Sequence, residues 1–373
     1  MVTRHLYIHV PFCGRRCTYC DFAIAVRRVV PVREYIDAIT AELVTRAESA
    51  PFGPLATIYL GGGTPSKLGT DGIGELMRAL REAPELQVAG DVEITIEANP
   101  EDVTAESAEA WAAAGVTRSS VGVQSFNPAV LAWMHRAHDA AAVTSAVADL
   151  RAAGISDISV DLIFGVPASL GRDWQDDLTR AQELGTQHLS VYGLTIEPHT
   201  PLGRWSARGE VVEATEDTFA DEFLAAHESL SGAGFEHYEV SNYALPGHRS
   251  THNSAYWRRV PYLGLGPSAH SFDGQTRRSN EREYEAWRAL LASGTDPLAT
   301  EELLTPDNRV AEDVYLGLRT DGGLELRASE LTVAMPWTRS GWGQLQGARL
   351  VLSAEGWLRL DSFAAVLTAE RSR

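Results

Sequence analysis

Short apolar runs alternate with amphipathic stretches along the first two thirds of the chain. The amphipathic stretches have the 3.6-residue period of helices, and two of them end at Gly115 and Gly154, as helices commonly do. The apolar runs are rich in β-branched residues and nearly continuous, as buried parallel strands are. These predicted strands are LYIHV (6–10), ATIYL (56–60), EITIEA (93–98), SSVGVQ (119–124), ISVDLIF (158–164) and LSVYGLT (189–195).

Six strand–helix units predict an α/β fold with a parallel sheet and right-handed crossovers. Six units are too few to close an eight-stranded barrel, so we expect an open, partial (βα)6 TIM-type barrel, with a doubly wound sheet as the alternative. In such folds the carboxyl ends of the strands carry the active site. The residues that we single out as candidates for function all lie in this position, at or just after the carboxyl end of a predicted strand. They are Cys13, residues 61–66, Glu97, Gln124, Asp161 and Leu194.

The alternation ends after about residue 235. The segment FEHYEVSNYA predicts one more strand, and SGTDPLATEELLTPDN predicts a linker that leads into a helix. From about residue 305 we expect a smaller, mainly helical unit with a terminal hairpin, resembling a winged helix. We therefore predict three parts, residues 1–235, 236–300 and 301–373.

The formal charge of −18 narrows the choice of partners. An acidic surface repels phosphate backbones and anionic headgroups, so we expect no nucleic-acid partner and at most peripheral membrane contact. No apolar run has the length of a membrane span, and the N-terminal residues do not form a signal peptide. Three cysteines cannot all pair with one another, and the expected compartment is the reducing cytoplasm.

All three cysteines lie in CGRRCTYC, as Cys13, Cys17 and Cys20. A structural zinc site needs four protein ligands, and no histidine stands at the spacing that would complete it. A [4Fe–4S] cluster fits the C-x3-C-x2-C spacing better, because one loop can hold three irons and leave the fourth open. Two alternatives remain: an electron-transfer centre with a different fourth ligand, and three unrelated buried thiols.

The cysteine segment and seven others resemble the radical S-adenosylmethionine (SAM) superfamily. Within it they resemble the branch of oxygen-independent coproporphyrinogen dehydrogenases and HemW-type heme chaperones. The matching segments, from Tyr7 to about Phe272, are YIHVPFC, GGGTPS, ITIEANP, GVTRSSVGVQSFN, VDLIFGVP, LTIEPHTPLGR, HYEVSNYA and HNSAYW. The resemblance implies that Cys13, Cys17 and Cys20 hold a [4Fe–4S] cluster and that SAM binds its open iron. It makes residues 1–235 the radical SAM core, 236–300 a bridging segment and 301–373 a HemN-like C-terminal domain.

The resemblance also assigns SAM contacts. The glycines of GGGTPS leave backbone groups uncovered for a polar ligand, although an ordinary turn would use them equally. A carboxylate at Glu97 can accept hydrogen bonds from a ribose hydroxyl or an ammonium group. The implied contacts are Tyr7, Gly62, Gly63, Thr64 and Glu97, with Tyr19 beside the cluster. In the dehydrogenase branch, positions matching Gln124, Arg136 and Asp161 contact a second SAM molecule.

Three features favour a heme chaperone over a dehydrogenase. Phe22 stands where the dehydrogenases have a fourth cysteine, and the first predicted strand follows a short lead. HNSAYW matches the H-N-x-x-Y-W pattern of HemW-type proteins. We therefore expect a protein that binds heme and passes it to an unidentified acceptor protein, with an electron donor for the cluster. The main alternative is an oxygen-independent coproporphyrinogen III dehydrogenase, and a weaker one is a radical SAM enzyme with another substrate.

The HNxxYW motif suggests heme contacts. His252 has an imidazole that can ligate iron, and Tyr256 and Trp257 have rings that can stack on a macrocycle. Arg258 and Arg259 can pair with propionates. In the alternative interpretation His252 and Asn253 only hydrogen-bond the barrel to the next segment, and the two aromatic residues belong to the core.

Overall fold

A computed structural model describes residues 2–47 and 52–372. In these ranges seventeen strands are present: β1 (Thr3–Val10), β2 (Phe12–Cys13), β3 (Ala25–Val26), β4 (Phe52–Gly62), β5 (Gln87–Ala98), β6 (Arg118–Gln124), β7 (Asp157–Phe164), β8 (His188–Gly193), β9 (Glu236–Glu239), β10 (Asn242–Ala244), β11 (Leu263–Leu265), β12 (His270–Phe272), β13 (Thr276–Asn280), β14 (Leu298–Leu303), β15 (Leu324–Glu325), β16 (Gly343–Gln346) and β17 (Arg349–Leu352). The α-helices of the same ranges are α1 (Val32–Ala47), α2 (Gly69–Glu82), α3 (Ala105–Ala113), α4 (Pro128–Trp133), α5 (Ala140–Ala152), α6 (Trp174–Glu183), α7 (Pro201–Ala207), α8 (Glu216–Gly232), α9 (Thr251–Trp257), α10 (Tyr284–Ala292), α11 (Pro306–Arg319), α12 (Ala328–Arg339), α13 (Ala354–Trp357) and α14 (Leu360–Arg371).

A nine-stranded sheet forms the centre of the molecule, in the order β11-β1-β4-β5-β6-β7-β8-β10-β9. The strands from β1 to β8 in this order are parallel, and β11 extends them in parallel beside β1. The order leaves β11 and β9 at opposite edges of the sheet, which is therefore open. This confirms the predicted α/β fold with six parallel strands in a partial barrel.

The predicted helices and strands lie close to their observed positions. Gly115 and Gly154 follow α3 and α5 with φ angles of 90° and 91°, a conformation that favours glycine after a helix. Thr104 and Ser107 form a capping box at the start of α3, which fixes where that helix begins. Local signals thus set these boundaries.

Two local predictions were wrong. The segment FEHYEVSNYA contains two short strands, because β9 and β10 pair with each other antiparallel. The predicted linker before α11 contains β14, which is exposed along its length and pairs with β13 at the edge of a three-stranded sheet. β10 also pairs with β8, and β14 pairs with β13, so these two strands depend on partners outside their own segments.

The sheet does not stop at residue 235. β10 pairs with β8, and β11 pairs with β1, so the bridging segment supplies both ends of the central sheet. One hydrophobic core runs from Leu6 to Leu367 and joins the barrel to the C-terminal helices. The three-part division stays a prediction, and its outer limits at residues 1 and 373 lie outside the described residues. No helix in the described ranges is long and apolar enough to cross a membrane.

Candidate functional site

A cavity of about 770 Å³ opens at the carboxyl ends of the parallel strands and extends into the barrel. Residues two apart in a strand face the same side, so the inward positions of each strand line it together. The three cysteines and eight other residues predicted from the sequence line this cavity: Tyr19, Gly62, Gly63, Thr64, Glu97, Gln124, Arg136 and Asp161. Four other predicted residues do not line it: Tyr7, His252, Tyr256 and Trp257.

The cysteine loop is held against the barrel by backbone and side-chain contacts. β2 and β3 pair within it, and the Arg27 amide donates to the Cys13 carbonyl at 3.0 Å. The Cys13 Sγ lies 3.3 Å from the Thr64 hydroxyl, and Arg136 Nη1 lies 3.7 Å from the Cys17 Sγ. The three thiols are unpaired. In the described ranges no three His, Cys, Asp or Glu side chains are placed to hold a single metal ion.

Burial disfavours the thiolate form of these cysteines. It raises the pKa of Cys13 to about 11, and it raises the pKa of Cys20 as well. Cysteine binds iron as a thiolate, so cluster binding here must release protons, and the positive charge of the irons would stabilise the thiolates that burial disfavours.

The glycine-rich loop passes very close to the start of the cysteine loop. A Cβ atom on Gly63 would lie 2.7 Å from the Pro11 carbonyl carbon and oxygen. Gly62 has a φ of 112°, and a Cβ there would lie 2.6 Å from the His9 ring. The amides of Gly62 and Gly63 donate to Glu97 Oε2 and to the Val10 carbonyl. Packing within the protein therefore already requires these glycines, before any ligand is considered.

Glu97 sits at the end of β5 with its carboxylate in the cavity. The Tyr59 hydroxyl donates to Oε1 at 2.8 Å, and the Gly62 amide donates to Oε2 at 3.0 Å. Burial, together with the nearby Asp161 carboxyl group, raises the pKa of Glu97 to about 7 although both hydrogen bonds lower it. Near neutral pH this group can therefore bind as a carboxylate or hold a proton.

Arg136 connects the cysteine loop to the opposite wall. Its Nη2 donates to Asn99 Oδ1 at 2.7 Å and to the Gly122 carbonyl, while its buried Nε has no partner among the described residues. Gln124, at the end of β6, has a φ of 67°, which is uncommon for a residue with a side chain. Asp161 accepts from the Ser120 hydroxyl at 2.9 Å, and burial raises its pKa.

Tyr19 and Tyr7, the two tyrosines predicted to contact the cofactors, differ in position, because only Tyr19 lines the cavity. Tyr19 lines the cavity near Arg136 and the thiols. Tyr7 lies behind the cavity wall, where its hydroxyl bonds His9 Nδ1 at 3.1 Å and its ring stacks on Tyr59 at 6.1 Å. His9 in turn donates from Nε2 to the Ala23 carbonyl at 2.8 Å. These contacts connect the cysteine loop to β1 and β4.

His252 packs inside the barrel and does not face the cavity. Its side chain is 1% exposed, Nδ1 bonds the Thr57 hydroxyl at 2.6 Å, and Nε2 bonds the Tyr256 hydroxyl at 2.7 Å. Burial lowers the pKa of His252 to about 3, so the ring is neutral. Because both ring nitrogens already have partners, this geometry does not support the predicted heme ligand. It favours the packing interpretation that the sequence left open.

The rest of the HNxxYW motif also has partners in the protein. The Tyr256 ring meets Tyr262 edge-on at 4.6 Å, and the Arg319 guanidinium lies 4.3 Å from the centre of the Trp257 ring. Arg259 pairs with Glu312 and Asp313, and Arg258 donates to the carbonyl one turn earlier in its helix. The expected stacking and propionate contacts at these residues are likewise unsupported by the geometry.

Several cavity residues were missed by sequence reasoning. Two of them lie two positions from predicted residues, on the same face of the same strand: Thr95 from Glu97, and Ser159 from Asp161. Others are Tyr59 on β4, and Ser120 and Gly122 on β6. Reading the strands as continuous apolar runs hid this alternation. Lys67, in the turn after the glycines, also lines the cavity and pairs with Asp102.

The comparisons with known proteins agree with this geometry. The family model for the radical SAM superfamily matches residues 7–181. Over 99% of the chain, the fold resembles that of the coproporphyrinogen III oxidase HemN of Escherichia coli, a radical SAM enzyme, with a TM-score of 0.83, 23% identity and 91% of that chain covered. The chain thus contains a radical SAM domain within a fold like that of HemN.

Curated relatives identify the family more closely. The chain is 36% identical over 369 residues to the heme chaperone HemW of Mycobacterium tuberculosis, covering 97% of this chain and 94% of the relative. It is 38% identical over 284 residues to HemW of Escherichia coli, covering 75% and 74%. The chain belongs to the HemW heme chaperone family, which confirms the resemblance seen in the sequence.

Proposed function

We propose that this protein binds heme and transfers it to an acceptor protein, using a core that carries a [4Fe–4S] cluster and SAM. The observation that carries the proposal is the convergence of Cys13, Cys17 and Cys20 with Glu97 and Asp161 on one cavity. These residues come from one loop and two separate strands. The name of the relatives, heme chaperone, supports heme as the cargo.

The three cysteines would hold the cluster. They share a cavity, and their C-x3-C-x2-C spacing lets one loop hold three irons, which suits a multi-iron group better than zinc. Such a cluster with SAM supplies one-electron chemistry at the SAM sulfonium. Arg136 would hold positive charge beside the Cys17 sulfur, and the neutral Thr64 hydroxyl would donate a hydrogen bond to the Cys13 sulfur.

SAM would lie between the glycine-rich loop and Glu97. The carboxylate of Glu97 would accept hydrogen bonds from the ribose hydroxyls or from the ammonium group, while Tyr59 fixes its orientation. The unpartnered Nε of Arg136 is an available donor for an acceptor atom of a bound ligand. Gln124 and Asp161 would contact a second SAM molecule if one binds.

Two protein partners follow from this proposal. A cluster that works by one-electron transfer needs an electron donor, and a heme carrier needs an acceptor protein.

The test combines cofactor loading with two assays. Under anaerobic conditions the protein is reconstituted with iron and sulfide, titrated with heme, and then given SAM, a reductant and coproporphyrinogen III. We expect about four irons per chain, heme binding near one per chain, and no protoporphyrinogen by mass. The C13S/C17S/C20S variant serves as the control for iron. Multiple turnovers to protoporphyrinogen would overturn the chaperone and support the dehydrogenase.

A further inference from the structure

Three exposed side chains on the rim of the cavity form no hydrogen bond or ion pair with the residues that the structure describes. They are Arg15, Phe22 and His135, and we call them the rim residues. Arg15 follows Cys13 by two positions, and Phe22 follows Cys20 by two, so both belong to the cysteine loop. His135 follows α4 and lies beside the cysteine loop, since the Thr18 amide donates to the carbonyl of the preceding residue, Met134, at 3.3 Å.

His135 adopts a conformation that glycine would adopt more easily. Its φ is 58°, and it stands just after the last turn of α4, where the Arg136 amide donates to the Leu131 carbonyl at 2.8 Å. This is a helix end at which glycine is the preferred residue. A side chain at that position costs about 1 kcal/mol. Such a cost points to a use for the side chain itself.

The imidazole of His135 is available for a ligand. Neither ring nitrogen has a hydrogen-bond partner within residues 2–47 and 52–372, and the ring meets only the Trp205 ring, edge-on at 5.9 Å. His188 is the other histidine that lines the cavity in these ranges, and both its nitrogens are bonded, to Ser159 and Tyr238. His252 is buried and also bonded at both nitrogens.

Phe22 and Arg15 add two further kinds of contact. Phe22 is 64% exposed at the mouth of the cavity, where its ring is available to pack against a flat ligand. The Arg15 guanidinium forms no ion pair with any described residue, although the chain as a whole carries a charge of −18. An unpaired guanidinium is well suited to bind a carboxylate in bidentate fashion.

We propose that the rim residues bind the heme cargo, with His135 as an axial ligand of the iron. Phe22 packs against the macrocycle, and Arg15 pairs with a propionate. Heme presents these three chemistries together: an iron that takes imidazole nitrogen, a flat apolar surface and carboxylates. The inference rests on the proposed function, because it names the site of the cargo. It places heme at the mouth of the cavity, next to the cysteine loop.

The test is a titration of the full-length protein with ferric heme, followed by absorbance and electron paramagnetic resonance. His135→Gly is the informative variant, because glycine suits the backbone at this position and should keep the fold. We expect the histidine-ligated spectrum to disappear, the dissociation constant to rise at least about tenfold, and the melting temperature to stay or rise. Added imidazole should restore the ligated spectrum. Arg15→Ala and Phe22→Ser should each weaken binding about three- to tenfold.

His199→Ala is the matched control, since His199 is exposed but does not line the cavity. We expect its spectrum and affinity to equal those of the wild type. An unchanged spectrum in His135→Gly, or loss of the ligated spectrum in His199→Ala, would overturn the inference while leaving heme binding intact. A wild-type protein that binds no heme would overturn the proposed function, and the inference would fall with it.

Discussion

At the scale of single residues, the Glu97 carboxyl group has a pKa that exposed glutamates do not reach. Burial in the cavity and the neighbouring Asp161 raise this pKa to about 7. The hydrogen bonds from Tyr59 and Gly62 favour the charged form but do not cancel the loss of water. The group therefore titrates within the physiological range, which makes ligand binding at this site sensitive to pH.

We expect SAM binding to weaken at acid pH in the wild type. Below pH 7 the Glu97 carboxyl group is protonated in the free protein, and binding in the ionised form must then release a proton. Affinity should fall by up to about tenfold per pH unit below 7 and level off above it. Glu97→Gln should bind about tenfold or more weakly at pH 8 and lose this dependence. Equilibrium titration with SAM between pH 5.5 and 8.5 measures both effects.

The control for this series is Glu109→Gln, which changes an exposed carboxyl group on α3. It should reproduce the wild-type curve at each pH. If the SAM affinity of Glu97→Gln still falls at acid pH, another group causes the fall, and Glu97 does not contact SAM as an ionised carboxylate.

At the scale of elements, the glycine-rich turn and the cysteine loop depend on a single close approach. A methyl group on Gly63 would lie 2.7 Å from the Pro11 carbonyl, two residues before Cys13. Gly63→Ala should therefore push the two loops apart and cost about 1–3 kcal/mol of unfolding free energy. We also expect the variant to retain less iron after reconstitution, as measured by colorimetric iron analysis.

Gly74→Ala provides the matched comparison for Gly63→Ala. Gly74 lies within α2, and a Cβ atom there would meet nothing within 4 Å. The Gly74→Ala substitution should stabilise the protein by about 0.5–1 kcal/mol, because alanine has a higher helix propensity than glycine, and it should leave the iron content unchanged. Equal iron contents in the two variants would show that the contact with Pro11 does not position the cysteine loop.

Helix α9 is held under the barrel by the side chain that the sequence suggested as a heme ligand. His252 links β4 to α9 through Thr57 and Tyr256, and its ring stacks on Tyr59 at 5.0 Å. His252→Ala should lower the unfolding free energy by about 2–4 kcal/mol, by loss of both hydrogen bonds and of buried volume. Urea unfolding measures this, while the heme spectrum should stay unchanged. A lost heme spectrum at wild-type stability would restore His252 as the ligand.

Local patterns were sufficient to predict the parallel strands and the cysteine loop. Each strand is a short run whose apolar outer face packs on helices, and the thiols are adjacent in the chain. The position of α9 could not be predicted in this way, because two of its amides donate to the Glu93 carboxylate, which is about 160 residues away in the sequence. The orientation of His252 follows from that position. The sequence pattern of a histidine followed by tyrosine and tryptophan is the same whether these side chains bind heme or pack in a protein core.

At the scale of the whole molecule, ion pairs and ring contacts join the C-terminal unit to the sheet. The buried Glu239 carboxylate of β9 pairs with Arg319 of α11 at 2.9 Å. Trp357 donates from its indole to the Leu318 carbonyl, and its ring meets His237 edge-on at 4.4 Å. The Glu239–Arg319 pair and the His237–Trp357 contact join the predicted parts 236–300 and 301–373, and β9 belongs to the central sheet. We therefore expect the barrel and the C-terminal helices to unfold together.

The fully buried carboxyl group of Glu42 on α1 links the barrel to the bridging segment. It accepts hydrogen bonds from the Gly266 amide at 2.8 Å, from the Trp287 indole at 2.9 Å and from the Asn280 side chain. Since each of these partners is a donor, Glu42→Gln would set an amide N–H against them. We expect a loss of about 2–4 kcal/mol in one cooperative transition.

Asp37→Asn is the control for Glu42→Gln, because Asp37 lies on the same helix and forms only an exposed pair with Arg33. It should cost no more than about 0.5 kcal/mol. Urea unfolding followed by both tryptophan fluorescence and circular dichroism distinguishes the outcomes. Coincident transitions in the Glu42→Gln variant mean that residues 236–300 belong to the same folding unit as the barrel. Two separate transitions would mean that this segment is an independent domain and that the Glu42 contacts are only an interface.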